Sequence, residues 1–425
     1  MKKLLAVLLS LVMALTFMMP TFAANEDIAT TEDSSISESI SGVVGSTGDL
    51  SASLDAVTDA FSFIENLFAA IHGLVHNLSV MFDFDCPFDS VDKDEKPSKP
   101  EEPSEPDVPS DPVEIVPDED WYDTQSSYII TTAEEFAAFA NAVNTGISFA
   151  GETVTLGADI DLSGKIWEPI GNYDYVFDGT FDGKDHTISN LYINAPEGDA
   201  LALFGVAQDA TIKDINVKNV DITGYEMVAA IVAYPYKGCT ISDCHVSGDI
   251  SIVAEYTHAG GIASIGSVNI EDCSVIADEM GKIAANERNI AGGIIGYNSI
   301  GETAITNCQV KNMEITAWAN VGAIAGLINL SNTIDSCVAE NITLTKTRED
   351  GHPTIGLAAG GFVYNASKSI TITNNLFKNI TLVGKATTVS SANVMYGAEY
   401  SGKTTSNFVM EGNSAEDINL GLLYN

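Results

Sequence analysis

Between Leu191 and Asn413 one short phrase is written eight times: an aliphatic residue, two intervening positions, then a small or apolar one. Aligned on the fourth position, the copies fall at Leu191, Ile215, Cys244, Cys273, Cys308, Cys337, Asn375 and Asn413. Their spacing, shortest at the first step and longest at the last two, falls in the range of solenoid repeats, roughly 20 to 50 positions. Three positions earlier stand Ile188, Ile212, Ile241, Ile270, Ile305, Ile334, Ile372 and Met410. A recurring unit too short to bury its own apolar side specifies a solenoid. In a flat strand, residues three apart face opposite sides, so two inward residues at that spacing need a turn between them. Asn190, Asp214, Asp243, Asp272, Asn307, Ser336, Asn374 and Gly412 sit just before the fourth position, and these residue types tolerate left-handed or bridge angles. Ile193, Val217, Val246, Val275, Val310, Ala339, Phe377 and Ala415 continue the inward row two positions on, and a second turn follows at Asn219, Gly248, Asn312, Asn341, Asn379 and Asp417. The pattern predicts an all-β chain, each step one coil of a parallel β-helix of about eight to nine coils.

Half a coil away, small residues recur with apolar ones: LALFG at 201–205, AAIVAY at 229–234, GGIASI at 260–265, GGIIGY at 292–297, GAIAGL at 322–327 and GGFVYN at 360–365. Glycine there permits a tight corner or close backbone stacking. These blocks, with VTLGADIDLSG (154–164), IWEPIG (166–171) and FDGTFDGKDHTISNLYI (177–193), resemble the GLUG-motif proteins of bacterial surfaces. The resemblance covers roughly 128–425 and implies a right-handed parallel β-helix on a secreted or cell-surface protein, mostly without assigned chemistry. Some members of that family carry a zinc peptidase domain, but this chain has no HExxH, so that activity does not carry over.

The chain divides by composition. Residues 1–23, with Lys2, Lys3, an apolar stretch from Leu4 to Met19 and small residues near Ala23, read as a signal peptide, so the protein is expected to be secreted. Residues 24–50 are rich in Ser, Thr, Glu and Gly and read as disordered. In 51–83, Leu54, Val57, Phe61, Ile64, Phe68, Ile71, Val75 and Leu78 alternate three and four apart, an amphipathic helix whose apolar seam needs a partner for self-association or non-covalent surface attachment. Residues 84–120 form an acidic Pro-rich linker, with Pro97, Pro100, Pro103, Pro106, Pro109 and Pro112 at every third position as in polyproline II. Residues 121–425 are the β-helix domain, opened by a helical stretch at 129–146 that would cover the first coil, capped at Thr131 or Thr132 and stopped at Gly146. Neither a lipoprotein cysteine, a sorting motif nor an apolar C-terminal tail is found, so attachment to a surface is expected to be non-covalent, and no transmembrane segment is expected in the mature chain.

The formal net charge is −40, with Arg288 and Arg348 the only arginines; such a surface repels nucleic acid and anionic membranes. It suits a protein kept soluble outside the cell, with calcium held weakly if at all, and no other cofactor is expected. Six cysteines in an exported chain would ordinarily pair. Here Cys244, Cys273, Cys308 and Cys337 share one slot of consecutive coils, about 4.8 Å apart. Disulfides prefer a Cβ separation of about 3.8 Å, and a linear ladder cannot wrap a tetrahedral zinc, so the thiols are expected to be free and buried. Cys86 and Cys239 lie off the ladder, and the role of Cys86 is open.

No catalytic, cofactor or metal residue is singled out. A β-helix lyase would need a basic group with calcium or arginine, and a hydrolase two carboxylates about 5 to 9 Å apart across a sugar. The densest carboxylates, Asp174, Asp178, Asp182 and Asp185, coincide with Asp-Gly turns. His245 follows a ladder cysteine, but alternation turns it outward. Tyr234, Tyr297, Tyr364 and Tyr396 follow Gly blocks and are candidate ligand-binding residues in an aromatic stripe. The expected function is therefore an adhesin-like or structural surface protein that binds a glycan or a protein and is not an enzyme. The alternative is a polysaccharide-active lyase or glycoside hydrolase on the same scaffold.

Overall fold

The computed structural model describes residues 112–118, 121–124, 127–287, 290–298, 303–328, 332–348, 355–362, 370–384 and 408–420. The signal peptide, the disordered segment, the amphipathic helix 51–83, most of the linker, Cys86, Tyr364 and Tyr396 lie outside them.

The described chain winds into a parallel β-solenoid of about seven turns. Strands Thr187–Leu201, Thr211–Ala229, Cys239–Ala254, Ser274–Ala285, Gln309–Ala317, Val338–Lys346, Leu376–Val383 and Ser414–Leu420 stack in parallel, each on the next. A second wall of six strands, from Phe204–Gln208 through Val232–Lys237, Ala263–Gly266, Ile295–Asn298 and Ala325–Ile328 to Ala359–Phe362, stacks in the same order. Between the walls lies one continuous apolar core to which each coil contributes the same positions, for example Ile241, Ile270, Ile305 and Ile334.

Both turns are left-handed single residues. The first corner holds Asp214, Asp243, Asp272, Asn307, Ser336 and Asn374 at φ of 50 to 56°, with Gly412 at 70°. The second holds Asn190, Asn219, Gly248, Asn312, Asn341, Asn379 and Asp417, again all at positive φ. Asn and Asp tolerate this region because their short side chains bond locally. At the second corner the asparagines also bond one another up the stack: Asn219 Nδ2 donates to Asn190 Oδ1 (2.9 Å), Asn341 to Asn312 (2.8 Å) and Asn379 to Asn341 (3.1 Å).

The register corrects the first copy of the phrase. Ile188 pairs with Val217 and Leu191 with Val220, while Phe181 occupies the level of Ile212. Leu191 is thus a second-corner residue, Asn190 stacks under Asn219 rather than under Asp214, and the true ladder begins at Ile215. Seven copies remain, which matches about seven turns rather than eight to nine. The cause is the irregular segment 183–186, where Gly183 bonds Lys213 O and Asp185 bonds Asp214 O, so the chain passes the first corner of this coil as a loop without an inward residue.

Ahead of the coils, strand Tyr128–Ile130 pairs with Thr153–Leu156, so Ile129 and Ile130 are extended and not helical as expected. The helix runs Ala133–Asn144, with Thr132 and Glu135 making a reciprocal capping box and Gly146 following at φ 101°. It buries Phe136, stacked on Trp167 at 4.4 Å, and Phe139, which packs against Phe149 (5.1 Å), Phe177 (5.7 Å) and Phe181 (5.9 Å). Val113–Glu114, inside the stretch read as linker, pairs in parallel with Lys165–Ile166.

Candidate functional site: a groove at the broken asparagine ladder

The asparagine ladder is interrupted at two successive coils. Gly248 replaces asparagine at φ 83°, where a Cβ would stand 2.2 Å from Asn219 Oδ1, and Asp249 N donates to that oxygen instead. One coil on, the corner is replaced by an excursion, because the pairing of 239–254 with 274–285 slips between Gly248 and Ser251 and accommodates Asp278, Glu279 and Met280. Along these interrupted corners lies a groove of about 600 Å³. This lies within the usual range of about 300 to 1,000 Å³ for small-molecule sites.

Five levels of chain line the groove: 163–165, 190–192, 219–221, 248–251 and 277–281, with Pro112 at the edge. At about 4.8 Å per level it runs about 19 Å along the stack. Leu191, Val220 and Ile250 form its floor, each buried in the core. Tyr192, Asp221 and Ser251 stand side by side in register along one wall. Lys165 closes one end, held 3.7 Å from Glu134, and Met280, 46 % exposed, closes the other. Asp221, Asp249 and Glu279 give the rim a negative charge. An aromatic ring, an exposed thioether, amides and carboxylates over an apolar floor can hold an extended polar ligand by stacking and hydrogen bonds.

Of the tyrosines singled out by sequence, the two described ones, Tyr234 and Tyr297, stand elsewhere. Val232 pairs with Ala263, and Ile265 pairs with Tyr297, which places Tyr234, Ile265 and Tyr297 in one row of the six-stranded wall, continued by Leu327. Aromatic and aliphatic residues thus alternate along it. Tyr297 stacks on His258 at 5.9 Å, and burial lowers the His258 imidazole to about 4. Tyr234 lies 6.4 Å from Tyr173 and 5.6 Å from Tyr236. Near Tyr173, Asp199 and Glu226 are direct cross-strand partners, and burial, then Asp199, push the Glu226 carboxyl up to about 7. Sequence reading missed this pair because a bulge between Ala195 and Asp199 hides their common level.

Two of the carboxylates, Asp178 and Asp182, have structural partners. Asp178 accepts from Ser148 Oγ and Phe149 N, and nearly buried Asp182 pairs with Lys184 (2.7 Å) and Lys213 (2.9 Å). His245 is exposed and lies 3.0 Å from Ser274 Oγ, while Cys244 is buried. Cys239, Cys244, Cys273, Cys308 and Cys337 are all free and buried. Among the described residues, no three His, Cys, Asp or Glu side chains are grouped to hold a metal ion, and no helix is long and apolar enough to cross a membrane.

No protein-family model matches the chain. A curated protein of Evansella cellulosilytica, provisionally named a Gly-rich membrane protein, is 31% identical over 101 residues, covering 24% of this chain and 11% of its own length. Halomucin of Haloquadratum walsbyi is 31% identical over 121 residues, covering 26% of this chain and 1% of its own. The chain therefore spans about a tenth or less of the curated relatives it matches. A Bacteroides ovatus protein of known structure, provisionally named an immunoglobulin A1 protease, matches 68% of this chain and 84% of its own at 22% identity and a TM-score of 0.46.

Proposed function

We propose that this chain is a secreted, surface-associated binding protein of adhesin-like or structural type, whose solenoid presents its groove to a glycan or to a protein segment and which turns nothing over. The carrying observation is the groove itself: about 600 Å³ along the interrupted asparagine ladder, with Tyr192 on its wall. A rigid stack of parallel coils fixes the spacing of wall residues without any ordering on binding, which favours recognition of an extended repeating ligand. The GLUG-like blocks accord with a bacterial surface setting, as does the membrane named for one relative. The amphipathic seam from Leu54 to Leu78 would supply attachment or self-association.

The test is a glycan and peptide array run with the intact chain and with Tyr192→Ala. Losing one aromatic contact of about 1 to 1.5 kcal/mol weakens binding by roughly fivefold to tenfold. An array on which the two proteins score alike would remove the groove from consideration.

A second reading, a polysaccharide-active enzyme, is favoured by one observation: Asp199 and Glu226 are adjacent carboxylates with one proton affinity raised, the pairing glycoside hydrolases use. Neither residue lines the groove, which is why binding is preferred. Release of reducing sugar from polysaccharides, abolished in Glu226→Gln, would reverse that preference.

A further inference from the structure

We infer that the occupant of the groove is an extended, lysine-bearing peptide segment of a partner protein, which rests on the groove being the binding site. The floor of Leu191, Val220 and Ile250 is apolar, and the polar groups above it that are left for a ligand are mostly acceptors. The ladder asparagines are already engaged at both ends of the amide. Asn190 Nδ2 donates to Asp161 Oδ1 at 2.8 Å, Asn190 Oδ1 accepts from Asn219, and Asn219 Oδ1 accepts from Asp249 N. What remains is the hydroxyls of Tyr192 and Ser251 and the exposed carboxylates of Asp221, Asp249 and Glu279. Among the described residues none of these three carboxylates makes an ion pair. The lysines at the two ends are matched: Lys165 lies 3.7 Å from Glu134, and Lys282, one level past Ser251, is the cross-strand partner of Glu314.

Acceptors around an apolar floor call for a ligand that brings donors, positive charge and apolar surface together. A glycan brings hydroxyls that donate and accept alike, and the amides that would read them are spent within the ladder. A lysine side chain brings donors without an acceptor, on a flexible apolar stem. The stem can lie along the floor while the ammonium reaches the rim. At about 3.3 Å per residue, an extended segment of about six residues fills the length of the groove, with alternate side chains on one face. The same charge argument excludes the nearest rival within the chain. Pro112 lies at the groove edge, but positions 97–111 leading to it carry Glu101, Glu102, Glu105, Asp107 and Asp111 against Lys99 alone, so like charge opposes their entry.

Fluorescence anisotropy of the full chain with three labelled probes tests this: a hexapeptide alternating lysine and valine, its counterpart with glutamine for lysine, and a neutral glucan hexasaccharide. The lysine peptide binds roughly tenfold or more tighter than the glutamine peptide, and salt weakens it. Asp221→Asn and Glu279→Gln each weaken the lysine peptide by roughly twofold to fivefold. Glu416→Gln, the same charge change on an exposed residue of the last strand, leaves it unchanged. If Glu416→Gln weakens the peptide as much as Asp221→Asn does, the attraction belongs to the whole acidic chain and the inference falls. If the glutamine peptide or the glucan binds as tightly as the lysine peptide, and Tyr192→Ala weakens it, the groove stands as a site but not as one for lysine. If Tyr192→Ala changes the binding of none of the three probes, the groove itself falls.

Discussion

Within one slot, cysteine and asparagine do the same job. Each reaches a backbone carbonyl of the preceding coil: Cys244 lies near Ile212 O, Cys273 near Ile241 O and Cys308 near Ile270 O at 3.7 to 3.8 Å and Cys337 near Ile305 O at 3.5 Å, with a nearer carbonyl two residues back in the same coil at 3.2 to 3.4 Å, whereas Asn375 donates to Ile334 O at 3.0 Å and Asn413 to Ile372 O at 2.6 Å. A thiol is a weak donor and an amide a strong one, so the ladder's later coils are stitched more firmly at this corner. Asn375 also accepts from Cys337 N at 2.8 Å. Asn375→Leu leaves both backbone groups buried and unsatisfied, and a loss of about 2 to 4 kcal/mol is expected from urea unfolding. Three of the thiols are held protonated: contact with Cys273 pushes Cys308 up, contact with Cys308 and burial push Cys337 up, and burial and Cys244 push Cys273 up. A thiol reagent should therefore leave these residues unlabelled until denaturant is added, and early labelling would mean the stack opens locally. Sequence spacing alone revealed this slot, because the step from Cys244 to Cys273 is the same as the step from Cys308 to Cys337.

At the scale of the element, the Gly-Gly corners set a close backbone approach and one half-buried imidazole responds to pH. A Cβ on Gly292 would stand 2.0 Å from Ile295 O and 2.5 Å from Gly326 N, both backbone atoms that cannot move independently. Gly292→Ala should cost about 2 to 3 kcal/mol, read as a shift of the urea midpoint. His258 lies in the strand His258–Gly260 beneath Tyr297, with its imidazole held near 4. Its folded proton affinity is depressed, so its contribution is complete above about pH 6.5 and is lost as pH falls towards 4. Glu226 behaves oppositely, since its raised affinity contributes below about pH 4.5 and is lost as pH rises through 7. Melting of His258→Gln should be flatter than the parent between pH 6.5 and 4. Glu226→Gln should gain on the order of 1 to 2 kcal/mol at pH 8 and little at pH 4.5, after allowance for its partial exposure. Neither group could be found from sequence, since the periodicity locates a residue on a wall but not the neighbour that covers it.

For the molecule as a whole, the parallel solenoid was legible because its period is a property of the backbone, whereas the groove was not, because it arises where the period fails. The signal was present all the same: Asn190, Asn219 and Gly248 are evenly spaced, while the first step of the other row, from Leu191 to Ile215, is shorter than all that follow. The odd step marked the misphased copy, and following the constant one would have placed Tyr192 beside Asp221. The helix was foreseen from its cap and periodicity, but its start was set too early because Ile129 and Ile130 suit either state and the neighbouring Thr153–Leu156 decides.

The constant step also means that the chain can be cut in whole turns. The segment 245–273 runs from one ladder cysteine to the next, and His245 lies in register with Ser274. Removing the whole segment joins Cys244 directly to Ser274, with the same corner, core positions and outward face meeting at the seam. Such a protein should keep the parent's circular dichroism per residue and be shorter by about 4.8 Å, measurable by small-angle scattering. A deletion one position shorter or longer turns every inward side chain of the strand beyond the seam outward and should leave an aggregate. In a protein of this kind, length comes in quanta, and a change of reach requires no change of fold.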